Sequence, residues 1–188
     1  MGSNYFTNPL EFLIQTLVGL YLLCVMLRFL LQWVQADFYN PVSQFLVKIT
    51  NPPLRPLRRL IPGWAGVDIA ALVLMLILQM AALLFVALLR GVEPGIGPLL
   101  VLSIAELISL LFNVFLVTII IQAILSWVNP GQHNPITSML YSLNRPLLGP
   151  AQRLLPPMGG MDLSPIVVII GLQLAKMLIL PPLYRLAS

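Results

Sequence analysis

Residues Arg145–Asp162 read RPLLGPAQRLLPPMGGMD, and residues Asn51–Asp68 read NPPLRPLRRLIPGWAGVD. Pro52, Leu54, Pro56, Arg59, Leu60, Pro62, Gly66 and Asp68 of the earlier stretch recur as Pro146, Leu148, Pro150, Arg153, Leu154, Pro156, Gly160 and Asp162, always 94 positions on (146 − 52 and 162 − 68). Working outward without a gap, residues 28–79 and 122–173 share 17 identities. Shared leucines follow from composition. Two Trp (Trp33, Trp127), two Asn-Pro pairs, six further prolines, two Arg and two Asp in one register do not. The chain is a duplication, and each copy is a proline-punctuated basic segment set between two long apolar runs.

Composition says what those runs are. Hydrophobic residues make up 59% of the chain and charged residues 9%, with mean hydropathy +0.96. A soluble domain carries roughly a quarter charged residues, so this chain cannot cover itself with a water-facing surface. The expected spans are residues 12–34, 68–89, 104–128 and 164–184. Residues 1–92 form the first repeat and 93–188 the second. The N-terminal residues before the first run carry no Lys or Arg, so that run is read as a retained span rather than a signal peptide. Each repeat is span, amphipathic segment, span. An even number of crossings gives both copies the same orientation. The fold class is therefore an all-α membrane protein with four transmembrane helices, from a parallel duplication.

Between the spans, Asn40-Pro41 and Asn134-Pro135 are helix starts, with Asn as cap and Pro in the first turn. Val42, Phe45, Leu46 and Ile49, and Ile136, Met139, Leu140 and Leu143, then form one apolar face per copy. Ser43, Gln44 and Lys48 fall off it. Prolines 52, 53, 56 and 62 predict two short interfacial helices per segment with a bend between. Asp68 is the expected N-cap of the second span, and Ser164-Pro165 the cap and first-turn proline of the fourth.

Lys and Arg placement sets the expected orientation. Lys48, Arg55, Arg58 and Arg59 follow span one, Arg145 and Arg153 follow span three, and the loop between spans two and three has only Arg90. The positive-inside rule places both repeated segments in the cytoplasm and both termini outside. Those six basic residues suit anionic headgroups, at about 1 kcal/mol each near the surface, or a protein partner. They are too few and too interleaved with Leu and Pro for nucleic acid.

No catalytic constellation is visible. One cysteine (Cys24) and one histidine (His133) argue against a disulfide framework, zinc or haem, so no metal or cofactor is expected. Gly159-Gly160-Met161-Asp162-Leu163-Ser164-Pro165 reads either as an ion- or phosphate-binding loop or as a glycine turn feeding a capped helix. The turn needs no ligand and is preferred. Arg28, near the Trp33 end of its span, reads as a snorkelling side chain. Lys176 lies twelve residues past Ser164, about 18 Å into its span, and its repeat partner is Ala82. One reading is a polar path through Lys176, Asn113 and Glu106, with Gln79 or Gln173 beside it. The other, preferred for want of further midplane acids, is a lysine snorkelling toward Glu106.

The two segments DFYNPVSQFLVKITNPPLRPLRRLIP (Asp37–Pro62) and NRPLLGPAQRLLPPMGGMDLSPIV (Asn144–Val167) resemble the YggT family of bacterial inner-membrane proteins and their chloroplast relatives. The resemblance implies a multi-pass inner-membrane protein and no enzymatic activity. It associates the chain with osmotic and salt-stress tolerance, cell division or envelope organisation, and, in plastids, with nucleoid distribution and cytochrome assembly. The motif positions it marks are Asn40, Pro41, Pro56, Arg59, Pro62, Gly66, Asp68, Asn134, Pro135, Pro150, Arg153, Pro156, Gly159, Gly160, Asp162, Ser164 and Pro165. Two functions are open: a scaffold or assembly factor acting through the paired basic segments on lipid, a membrane protein partner or a second copy, and an ion (potassium) channel, transporter or transport regulator using the polar path.

Overall fold

The computed structural model describes residues 4–64, 66–128, 134–154 and 162–187. Pro156, Gly159 and Gly160 of the glycine-rich turn lie outside the described residues, as does His133. Six helices follow in order: α1 (Asn4–Trp33), α2 (Pro41–Leu60), α3 (Ile69–Leu89), α4 (Ile96–Val128), α5 (Pro135–Leu154) and α6 (Ser164–Leu186). Thr7–Trp33, Ile69–Leu89, Ile96–Val128 and Ser164–Leu186 are long and apolar enough to cross a membrane. In each repeat the two spans pack on each other, α1 on α3 and α4 on α6, and α3 against α4 joins the copies. The helix that contains the expected third span begins at Ile96, eight residues before position 104. Pro98 sits in the first turn of α4, where its missing N–H costs nothing, so the helix runs back to Ile96.

Apolar side chains gain little by leaving lipid for protein, so the span contacts rest on close packing and on polar pairs. Ala70, Ala71, Ser103 and Ala105 are wholly excluded from the surface and let helices approach. Met75, Ile119, Leu30 and Val25 fill the centre.

The interfacial segments depart from expectation in two ways. First, α2 runs unbroken through Pro52, Pro53 and Pro56, and α5 through Pro146 and Pro150. Proline's fixed φ is itself helical; what it removes is one hydrogen bond, and its ring crowds the preceding turn. That cost is offset by a buried row on each helix. Second, that row does not coincide with the apolar face. The buried residues of α2 are Ser43, Leu46, Thr50 and Leu54, and those of α5 include Thr137, Leu140, Asn144 and Leu148, each 94 positions on. Phe45 is 58% exposed and Ile136 50%. An apolar stripe marks the inner face only when the outside is water. Here the outside is the lipid boundary, so Phe45 can face out while Ser43 and Thr50 face the bundle.

Both Asn caps form. Asn40 Oδ1 accepts from the Val42 N–H at 2.9 Å and Asn134 Oδ1 from the Thr137 N–H at 2.8 Å. The Asn40 amide also donates to the Pro135 carbonyl. The starts of α2 and α5 therefore touch, on the same side of the bundle. Gly66, at φ +81°, carries the turn into α3, and Asp68 caps that helix through the Ala71 N–H at 3.3 Å. Ser164 does not cap α6. It is the first helical residue, and Asp162 Oδ1 accepts its N–H at 2.9 Å, because a carboxylate two residues upstream is the stronger acceptor.

Candidate functional site

Three of the polar contacts that tie the helices of repeat one have counterparts in repeat two. Arg28 of α1 donates through Nη1 to Thr50 Oγ1 of α2 at 2.6 Å. Their partners in the 94-residue register, Gln122 and Asn144, join α4 to α5 at 2.9 Å, the Asn144 amide donating; Asn144 Oδ1 also accepts from Thr118 Oγ1 at 2.9 Å. Arg58 of α2 forms an ion pair with Asp68. The register partners Gln152 and Asp162 meet at 2.7 Å, Gln152 Nε2 donating. At the opposite end, Arg90 pairs with Glu11, Nη2 to Oε2 at 2.6 Å and Nε to Oε1 at 2.9 Å. Tyr184, the partner of Arg90, donates to Glu106 at 3.2 Å, one position off the partner of Glu11. The contacts thus recur in both copies, with a basic member in repeat one and a neutral one in repeat two.

Arg28 does not snorkel alone at the boundary: it is 7% exposed, tucked under α2. Arg58, expected to face lipid or partner, is committed to Asp68 inside the chain. Lys48, Arg55, Arg59, Arg145 and Arg153 are exposed on α2 and α5, and none of these five has an ion pair among the described residues. Burial pushes the Asp162 carboxyl up, but hydrogen bonds from Ser164 and Gln152 outweigh it and hold it below the usual carboxylate range.

Inside the membrane, Lys176 Nζ donates to Asn113 Oδ1 at 2.6 Å. Its acceptor is the facing amide of α4 rather than Glu106, which takes Tyr184 instead. A cavity of about 350 Å³ opens between α1, α3 and α4, lined by the polar side chains of Gln15, Gln79, Glu106, Ser109 and Asn113. Gln173 is not among its lining residues. Gln15 and Ser109 were not singled out from the sequence. Yet Glu106, Ser109 and Asn113 stand at i, i+3 and i+7 on α4, a helical stripe the sequence does contain. Among the described residues no group of three His, Cys, Asp or Glu side chains could hold a metal ion.

These features define a class: a four-span helical membrane protein made by parallel duplication, each copy carrying a buried-edge interfacial helix. A family model described as CCB3/YggT matches residues 7–89 and 101–183, again 94 apart (101 − 7 and 183 − 89). The chain belongs to the CCB3/YggT family. It is 48% identical over 171 residues to an uncharacterized protein of Pseudomonas aeruginosa, covering 90% of this chain and 87% of that one. It is 40% identical over 175 residues to the uncharacterized protein YggT of Escherichia coli K12, covering 90% and 88%. An uncharacterized protein of Vibrio alginolyticus is 40% identical over 174 residues, with 91% and 93% covered. No solved structure matches the chain.

Proposed function

We propose that the chain is a non-enzymatic scaffold or assembly factor of the bacterial inner membrane, with α2 and α5 on the cytoplasmic face and both termini outside. The observation that carries this reading is the basic surface of the two helices: Lys48, Arg55, Arg59, Arg145 and Arg153 are exposed, carry no carboxylate partner among the described residues, and sit on helices that meet at Asn40 and Pro135. Exposed unpaired cations on one side suit anionic headgroups and an acidic partner surface. Capture from native membranes tests it, comparing the unaltered chain with Arg59→Glu/Arg145→Glu/Arg153→Glu. A stoichiometric protein partner lost in the variant supports the reading; identical capture by both overturns it.

A second reading has its own observation. The polar cavity beside Asn113 and Glu106 lies in the membrane-spanning region, and Lys176, which does not line it, donates to its lining residue Asn113. Intramembrane polar groups around a cavity mark ion or solute paths. In proteoliposomes, potassium flux above that of empty vesicles, reduced at least several-fold by Glu106→Gln, supports the path. Flux equal to empty vesicles overturns it.

A further inference from the structure

A second cavity, of about 300 Å³, lies under α2 where α1 ends. It is lined by Arg28, Gln32, Gln35, Phe38, Ser43 and Arg58, among others. Arg28 is 7% exposed and uses Nη1 on Thr50 and, at 3.4 Å, on the Val47 carbonyl. Its Nε and Nη2 have no acceptor among the described residues. Ser43 is also 7% exposed, and its Oγ is buried with no hydrogen-bond partner among the described residues. With Asp68 neutralising Arg58, the local charge is +1 (Arg28 and Arg58 against Asp68). An idle buried hydroxyl is costly, and it adjoins the same cavity as the free Arg28 donors.

Repeat two shows that the fold does not require this charge. Gln122 does for α4 and α5 what Arg28 does for α1 and α2, and Gln152 holds Asp162 as Arg58 holds Asp68. The hydroxyl equivalent to Ser43, that of Thr137, is occupied: it donates to the Asn134 carbonyl at 2.8 Å. At the matching positions the net charge is −1 (Asp162 alone). Gln35 adds to the contrast. It sits at φ +53°, closing α1 with bonds from Gln35 N to Gln32 O and Ala36 N to Leu31 O. That is a Schellman end where glycine is favoured, yet a side chain is retained on the cavity wall.

We propose that this cavity is a phosphate-binding site, taking the phosphodiester headgroup of an anionic phospholipid at the membrane face that carries α2. The free Arg28 donors, Arg58 Nη1 (its Nε and Nη2 being held by Asp68 and Gln32) and the Ser43 hydroxyl are the groups that recognise phosphate oxygens. The first turn of α2, to which Ser43 belongs, adds the positive end of its dipole. Basic pockets between transmembrane helices at a headgroup level are suited to such lipids. This deepens the headgroup part of the surface reading. Arg59, Arg145 and Arg153 do not line the cavity, so the two can fail separately.

The full chain, purified in a neutral maltoside detergent, is titrated with short-chain dihexanoyl-phosphatidylglycerol and, in parallel, with inorganic phosphate, reading bound mass by native mass spectrometry and thermal stabilisation. The expected result is saturable one-to-one binding of the lipid, weakened at least tenfold in Arg28→Gln/Arg58→Gln, which copies the repeat-two side chains. Arg59→Glu/Arg145→Glu/Arg153→Glu keeps it. Saturable binding of inorganic phosphate with the same loss in the variant supports the site and assigns it to a soluble phosphate. Ser43→Asp, which keeps both arginines but puts a competing carboxylate in the cavity, must also abolish binding, and it decides the matter if the double variant does not fold. Binding of neither probe, or binding undiminished in the variants, overturns the proposal.

Discussion

Lys176 carries its charge about 18 Å into α6, and a single amide answers it. The 2.6 Å bond to Asn113 gives the ammonium an acceptor inside the apolar span. Asn113→Leu should therefore cost about 1–3 kcal/mol in reversible unfolding in bicelles. Lys176→Met/Asn113→Leu should recover most of that loss, since removing both partners leaves nothing unsatisfied. The sequence flagged Lys176 by its broken symmetry with Ala82, but the acceptor could not be read from it: choosing Asn113 over Glu106 needs the rotation of α4 against α6. Asp162 makes a pH prediction. Its carboxyl lies below the ordinary aspartate range because hydrogen bonds from Ser164 and Gln152 outweigh burial. Its contribution is then complete above the unfolded value and disappears as pH falls through the lower folded value. Melting temperature should drop on acidification below the ordinary aspartate pKa of about 3.9, and Asp162→Asn should flatten that part of the drop.

The elements most affected by duplication are α2 and α5. Each is pinned to its repeat by side-chain contacts to the preceding span and by one to the start of the next. For α2 the latter contact is Arg58 to Asp68, whose side chain is 4% exposed. Arg58→Ala strands that charge and should destabilise by roughly 3 kcal/mol. Arg58→Gln, the residue repeat two uses with Asp162, should cost about 1 kcal/mol, a neutral hydrogen bond replacing a charged one. Equal losses in thermal denaturation would contradict the equivalence of the two contacts. The helices themselves were legible from Asn-Pro starts and 3.6-residue spacing. Their inner face was not, because Ser43 and Thr50 read as outward in any scheme that takes water as the surroundings. The 94-residue register held the missing signal: 43, 50 and 28 are polar in both copies, as Thr137, Asn144 and Gln122. Proline count misled in the other direction, since a buried row of four residues keeps α2 and α5 continuous.

At the scale of the molecule, two in-register copies put α1 and α4 in one direction and α3 and α6 in the other. Both basic helices then lie on one face, joined through Asn40 and Pro135. That architecture was legible because duplication, apolar run length and charge placement each point to it independently. The cavities were not, since they form between helices whose relative rotation is set by packing. Everything proposed for the basic surface depends on the shared face, and site-directed cysteine labelling in intact and inverted membranes tests it most directly. With Cys24→Ser as background, Arg59→Cys and Arg153→Cys should react with a membrane-impermeant maleimide only from the cytoplasmic side, and Glu93→Cys only from the other. Arg59→Cys and Arg153→Cys reacting from opposite sides would contradict the parallel duplication.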